Sequence, residues 1–485
     1  MGIIAASRLR GVINSFIFTV NSGANGEFVI KTLGDSYSYK VETSDGQNIV
    51  ENTGDLTIVF PQLNNIYTVT INGIFPQFFL DNVSPNDQKL LSIEQFGTYG
   101  ENSSSQIDAF SGALNLKINA SESNSFKSTS NFDAAWEDCR SLTSFPLLDV
   151  SNGLRFNNTW KNCVSLTSFP LLDFSNADSF VDCWKSCQNL TSFPLVDVSS
   201  GVNFITSWND CRGLTSFPLL DVSNGTNFLA TWEDCRSLTS FPLLDLSSGI
   251  NFSRAWRGCV SLTSFPLLDL SSGTNFDTSW RGCVSLTSFP LLDLSSGTNF
   301  DTSWKRCSGL ASFPLLDVSS GTSFDATWFE CTGLNSFPSL DVSSGINFLA
   351  TWRSCAGLTS FPSLDVSSGT NFTRTWQDCT GLTSFPLLDV SSGTNFLSAW
   401  LGCVNLTSFE PDFFNNCAGT NFEESFITTN LNQQSIDGIL VSINSNTTSN
   451  GIFSQSGGSA PSTTGEAAIT AMRNRGWTVA VTGGF

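Results

Sequence analysis

A tryptophan recurs every 24 residues, at Trp136, Trp160, Trp184, Trp208, Trp232, Trp256, Trp280, Trp304, Trp328, Trp352, Trp376 and Trp400, with no insertion along the run. A cysteine follows each of them three residues later, from Cys139 to Cys403. Such a period restricts the chain to very few folds. A segment of 24 residues cannot enclose its own apolar side chains, so each copy must bury them against the next, which is a solenoid.

Two local patterns alternate inside the repeat. Phe276, Trp280, Cys283 and Leu286 stand at i, i+4, i+7 and i+10, a spacing that predicts one apolar face of a short helix. Asn275 precedes that run as an N-cap, after a Ser-Ser-Gly breaker. The segment Phe289-Pro-Leu-Leu292-Asp293-Leu294-Ser295 alternates as a strand with Leu292 and Leu294 inward and Asp293 outward. The strand should begin after Pro290, which has no N–H to give to a ladder. The spacing Leu286-x-x-Phe289-x-x-Leu292-x-Leu294 fits a leucine-rich-repeat template. The expected fold class is therefore an α/β solenoid of about twelve strand-helix units, right-handed. At about 4.8 Å per rung it would be roughly 60 Å long.

The flanks read differently. Residues 1–12 form a terminal attachment segment. Residues 13–100 carry alternating runs such as Phe16-Ile-Phe18-Thr-Val20 and Tyr67-Thr-Val-Thr-Ile71, with turn signals at Asn25-Gly26 and Asp45-Gly46. They suggest a small antiparallel β-sandwich of immunoglobulin-like type. The array is expected over 101–408, with Leu90–Ile93 and Leu114–Ile118 as worn lead-in rungs. Residues 409–485 form an α+β cap: Phe422 and Phe426 in the places of Phe and Trp, helices near 434–443 and 466–475, and a strand at Trp477–Val481.

Composition narrows the function. There is no histidine, which removes the commonest general base and metal ligand. Acidic residues outnumber basic ones 42 to 22, a net charge of −20, which speaks against nucleic acid or an anionic membrane as the main partner. No run of 18 apolar residues and no secretory signal is visible, so membrane insertion is not expected. Twelve of the 14 cysteines form one column, with Cys183 and Cys417 outside it; they read as buried apolar fillers rather than disulfides.

At these residues the chain resembles the BspA family of leucine-rich-repeat surface proteins. Trp280-Arg-Gly-Cys283-Val-Ser-Leu286 and Leu292-Asp-Leu-Ser295 stand where that family has Met-Phe-x-x-Cys-x-x-Leu and Leu-Asp-Leu-Ser, with Trp in place of the Met-Phe pair and a Phe-Pro step added. Gly73-Ile-Phe-Pro76 and Lys89–Gly97 are similar to its lead-in domain. The opening Gly2–Arg10 and the ending Arg475-Gly-Trp-Thr-Val479 resemble versions carried by marine bacteriophages and their hosts. The resemblance implies an adhesive role and transfers no catalytic residues.

The candidate sites are columns. The carboxylates of Asp221, Asp245, Asp269, Asp293, Asp317 and Asp341 lock the following Ser-Ser-Gly turn as Asx motifs, form a ladder for Ca²⁺, or stand as an exposed, unliganded acidic stripe. Trp208, Trp232, Trp256, Trp280 and Trp304, with Cys211, Cys235, Cys259, Cys283 and Cys307, are expected in the core. The Thr-Ser pairs, such as Thr263-Ser264, are expected to stack rung on rung. Rows of like groups do not converge as catalysis requires, so no enzyme activity and no resident cofactor are expected. The expected function is a phage virion surface protein, a tail fibre or head decoration, acting as an adhesin on the virion surface. Its N-terminal region would contact other virion proteins, and the array would meet host glycan or protein, with homo-oligomers also admitted. The alternatives are a structural spacer or lattice protein and a bacterial cell-surface adhesin.

Overall fold

The computed structural model describes residues 14–484, apart from 34–35, 81–87 and 124–125; the proposed attachment segment 1–12 lies outside them. The chain divides into two compact units between Leu238 and Thr239.

The first unit opens with two sheets. Strands β1 (Phe16–Asn21), β3 (Ser38–Thr43), β4 (Asn48–Asn52), β6 (Ile66–Ile74), β7 (Leu90–Gln95) and β8 (Lys117–Ile118) run in the order β4-β3-β6-β1-β7-β8, while β2 (Glu27–Ile30) pairs with β5 (Leu56–Val59). Alternation in β1 buries Phe16, Phe18 and Val20, and the Phe18 ring lies 5.9 Å from Phe28 of β2. The larger sheet is mixed rather than antiparallel. β7 pairs antiparallel with β1 and parallel with β8, so a worn rung extends the sheet.

The rungs then repeat, and their apolar columns lie where the sequence puts them. Phe276, Trp280, Cys283, Leu286, Leu292 and Leu294 are buried. The element type differs. No helix forms in the repeats of either unit; the stretch from Phe276 to Gly282 is a chain of turns. Alternate N–H groups leave the rung: Phe276 donates to the Asn299 carbonyl, Thr278 to Asp301, Trp280 to Ser303 and Gly282 to Lys305, at 2.8–3.0 Å. Between them Ser279, Arg281 and Cys283 donate to the carbonyl three residues back. A helix would need N–H groups to reach back four residues inside the segment, and here half of them serve the neighbouring rung. Two residues per rung turn left-handed to make this possible, Thr278 (φ 61°) and Gly282 (φ 78°) in this one. Asn275 caps no helix. Its Oδ1 accepts the N–H of Asp277 at 3.1 Å as an Asx turn, and its backbone bridges in parallel to Asn251 and Asn299.

The expected strand is also reduced. In this flank of the array only β10 (Leu147–Leu148), paired with β9 (Glu122–Ser123), and β11 (Ser384–Phe385), paired with β12 (Ser408–Phe409), form named strands among the described residues. Pro290 has no N–H to give, and Leu292 spends its own on the Pro290 carbonyl at 3.0 Å in a three-residue turn. The same turn recurs at Leu172, Val196, Leu220, Leu244, Leu268, Leu316 and Leu340. Burial still alternates as in a strand, but little donor capacity remains for a ladder.

Stacked aromatics fill the interior. Within the first unit Trp136 and Trp160 lie 5.8 Å apart and nearly parallel; within the second, Trp280 and Trp304 lie 5.3 Å apart. Each indole also meets two phenylalanines edge-on, Trp280 touching Phe265 at 5.6 Å and Phe289 at 5.0 Å. The indole N–H groups of Trp136, Trp160, Trp280 and Trp304 are buried without a partner, which costs about 1–3 kcal/mol each. Aromatic pairs contribute about 0.5–1.5 kcal/mol apiece beyond burial, so two per indole offset the orphaned donor. Gly297 is required by space: a Cβ there would collide with the Phe300 ring and lie 3.0 Å from the Leu294 carbonyl.

The worn rungs close the stack at each end. Phe110 and Ala113 occupy the Trp and Cys columns, with Phe110 6.1 Å from Trp136. In the second unit Phe422 and Phe426 of β13 (Asn421–Phe426) stack on Phe396 and Trp400 at 5.0 and 5.1 Å. Beyond them α1 (Gln433–Ser445), β14 (Ile452–Gln455), α2 (Thr463–Asn474) and β15 (Thr478–Ala480) complete a parallel β13-β14-β15 sheet. The helices match the sequence reading to within a few residues, and β14 lies between them as a strand that reading did not place. Asn432 and Ser462 cap the helices through their side-chain oxygens.

Candidate binding surfaces of the array

The extended flank of each rung turns two side chains outward, at the positions of Leu291 and Asp293. The leucines at the first position are Leu147, Leu171, Leu195 and Leu219 in the first unit and Leu243, Leu267, Leu291, Leu315 and Leu387 in the second. They are 53–65% exposed, far more than any core column, so each unit carries an apolar stripe open to solvent. Ser339 and Ser363 take the place of leucine in two rungs and are also exposed. Folding therefore does not require leucine there. Sequence reading missed this stripe. Its signal is the Leu291-Leu292 pair: with a period of two, one member must face out beside Asp293.

The carboxylates form the neighbouring column. Asp221, Asp245, Asp269, Asp293, Asp317 and Asp341 are all exposed. Each Oδ1 accepts the N–H of the serine two residues on, at 3.0–3.1 Å, and the hydroxyl of the same serine at 2.6–2.7 Å. These bonds hold the carboxyls of Asp197, Asp245, Asp293 and Asp365 below the usual carboxylate range, the serine hydroxyl contributing most. The aspartates proposed as a Ca²⁺ ladder thus already spend one oxygen on the turn that follows. Among the described residues no three acidic or cysteine side chains converge as a metal cage.

Hydroxyls border both columns. Thr287 Oγ1 donates to the Thr263 carbonyl at 3.3 Å, and a second row does the same from Thr298 to Thr274 at 3.2 Å. They join rungs rather than form a free hydroxyl plane. Trp208, Trp232, Trp256, Trp280 and Trp304 are fully buried, as are Cys211, Cys235, Cys259, Cys283 and Cys307. All fourteen cysteines are free thiols. Cys283 Sγ donates to the Trp256 carbonyl at 3.3 Å and Cys307 to Trp280 at 3.1 Å. Burial pushes the thiols up, to about 12 for Cys331 and Cys379, so the column is inert near neutrality.

The turn flank carries a different chemistry. The residue after each tryptophan is variable: Glu137, Lys161, Lys185, Asn209 and Glu233 in the first unit, then Arg257, Arg281, Lys305, Phe329, Arg353, Gln377 and Leu401 in the second; all are half-buried except Glu233 and Gln377, which are buried. Register is fixed by the backbone, since Gly258 donates to the Arg281 carbonyl, Gly282 to Lys305 and Arg306 to Phe329, each at 2.8 Å.

Comparison with known proteins finds no matching family model and no matching curated protein. Among solved structures, this chain is similar to a leucine-rich repeat protein from Bacteroides ovatus at 17% identity and a TM-score of 0.42, over 72% of this chain and 96% of that one. It also matches the plant peptide hormone receptor RGFR1 in complex with RGF2 at 13% identity and a TM-score of 0.21, over 81% of this chain and 62% of that one.

Proposed function

We propose that the chain is a non-enzymatic adhesin, carried on a virion surface, whose array meets host glycan or protein while the N-terminal region contacts other particle proteins. The observation that carries the adhesive part is the exposed leucine stripe beside the aspartate column. An apolar row that folding does not need, repeated at every rung but two, is suited to an interface. Ranks of identical groups supply many weak contacts at once, and such contacts gain through multivalency. The virion assignment rests on the resemblance of the chain's two ends to phage-borne versions. A second reading, a spacer or lattice protein of the particle, is favoured by the near-identity of residues 260–283 and 284–307, which differ only at Arg281/Lys305 and Gly282/Arg306.

The test uses labelled full-length chain with intact bacterial cells and with purified particles. Leu267→Ser combined with Leu291→Ser should change the unfolding free energy by no more than the about ±0.5 kcal/mol of a surface change and weaken saturable binding to cells. Deleting residues 260–283 should lower avidity further. Unchanged cell binding in both variants, with association only to particles, makes the array a spacer.

A further inference from the structure

The second unit contains an island of positive charge that the net charge of −20 conceals. Arg257, Arg281 and Lys305 occupy one column in three successive rungs, their spacing set by the inter-rung bonds of Gly258 and Gly282. Arg254 and Arg306 flank them in the same three rungs. No carboxylate lies within ion-pair distance of Arg254, Arg281 or Lys305 among the described residues, while Arg306 pairs with Glu330 at 2.6 Å. The next residue of the column is aromatic: Phe329 is half-buried, with Lys305 Nζ 4.5 Å from its ring centroid and Arg353 at 5.1 Å from the other direction in sequence. Like charges held side by side repel one another, and an unneutralised arginine among arginines is a cost that folding alone does not recover. The electrostatics agree. Partial burial lowers the basicity of Arg281, with Arg257 and Arg306 adding to it and Asp277 opposing it, and Lys305 is lowered by burial and by Arg281 and Arg306 against the weaker opposing pull of Glu330 and Asp325.

We propose that this column binds a linear acidic polysaccharide, with carboxylates on the Arg257–Arg281–Lys305 row and a sugar ring against Phe329. Three features select that ligand. Cations at about 4.8 Å intervals meet the recurring charges of an extended polymer better than those of a single small anion. Arginine offers a fork that pairs bidentately with carboxylate. The acidic remainder of the chain, including the aspartate column, repels a long, highly charged duplex such as nucleic acid. The inference rests on the adhesive reading and narrows its target, at a flank distinct from the leucine stripe.

The experiment is titration calorimetry of the full-length protein with oligogalacturonate at about 50 mM and about 200 mM salt, where an interaction led by charge weakens steeply as salt rises. Arg281→Glu with Lys305→Glu should weaken binding by about tenfold or more at the lower salt, and Arg281→Lys by less, since it keeps charge and loses the fork. The matched reversal of Arg140→Glu with Arg236→Glu in the first unit should leave affinity unchanged, with unaltered melting confirming that every variant folds. The proposal is overturned by absent binding at low salt, by equal losses from the two reversals, or by duplex DNA or dextran sulfate competing as well as the uronate. Cells that bind the 281/305 variant normally, with uronate binding absent in the parent, sink this site and leave the adhesin standing. Uronate binding without cell binding does the reverse.

Discussion

The two flanks of a rung have exchanged the roles their sequences advertise. The stretch that reads as a helix, Phe276 to Gly282, provides a sheet-like ladder with four bonds to the next rung. The stretch that reads as a strand, Phe289 to Ser295, turns its polar groups inward on itself through the Leu292–Pro290 turn and the Asp293–Ser295 lock. The difference is a matter of where N–H groups are spent. Four inter-rung bonds contribute about 0.5–1.5 kcal/mol each, and of the two left-handed residues Thr278 costs about 1–2 kcal/mol while Gly282, without a Cβ, adopts that conformation with no steric penalty, so the turn offsets part of the ladder's gain. It fixes register. Stability comes from the aromatic stack that register makes possible, and the extended flank is left free to present Leu291 and Asp293.

That contrast can be broken most severely through the stack. Trp280→Ala removes a ring that touches Phe276, Phe265, Phe289, Trp256 and Trp304. It should cost about 3–5 kcal/mol, read as a lower urea midpoint, with no single substitution on the extended flank coming close. Alkali should act next. The thiol column is raised in the folded state, so its contribution is complete below the unfolded pKa of about 8.5 and declines as pH rises past it. Melting temperatures measured from pH 7 to 10 should fall, and the thiols should resist a thiol reagent until the chain unfolds. Rapid labelling of the native protein would place them outside the core.

The extended flank should respond weakly. Asp293→Ala loses two hydrogen bonds at an exposed site, worth at most about 1 kcal/mol, and Asp293→Asn should recover much of it because its carbonyl still accepts. The depressed carboxyls contribute above the ordinary pKa of about 3.9, and that contribution is lost as pH falls through their lower folded values. Acid titration should therefore show a modest loss confined to low pH, smaller in Asp293→Ala than in the parent.

The columns were legible because burial follows spacing: Trp280, Cys283 and Leu286 had to share a side whatever backbone carried them. The capping helices were legible too, since Asn432 and Ser462 cap segments whose bonds close within themselves. The rung's own backbone was not. A spacing of i, i+4, i+7 is met by a helix or by successive left-handed turns, and the choice depends on acceptors 23 residues away, outside any local window. The left-handed positions left a partial trace, with Asp138, Asn162, Asp210, Gly258, Gly282 and Gly402 at one of them, residue types that tolerate that conformation. The other position holds Ala326, Ala350 and Thr278, where nothing in the residue type announces it. The basic column was visible in the sequence as variation after tryptophan, but its meaning needed the register.

The measurement that bears most directly on this account is the stability of Ala350→Gly. Ala350 has φ 52°, donates its N–H to the Thr373 carbonyl of the next rung, and accepts from Arg353. In a left-handed turn glycine relieves the strain of the Cβ, so the urea midpoint should rise by the equivalent of about 0.5–1 kcal/mol. In a helix the same change would lower it by about 1 kcal/mol, and a fall of that size would contradict the turn ladder.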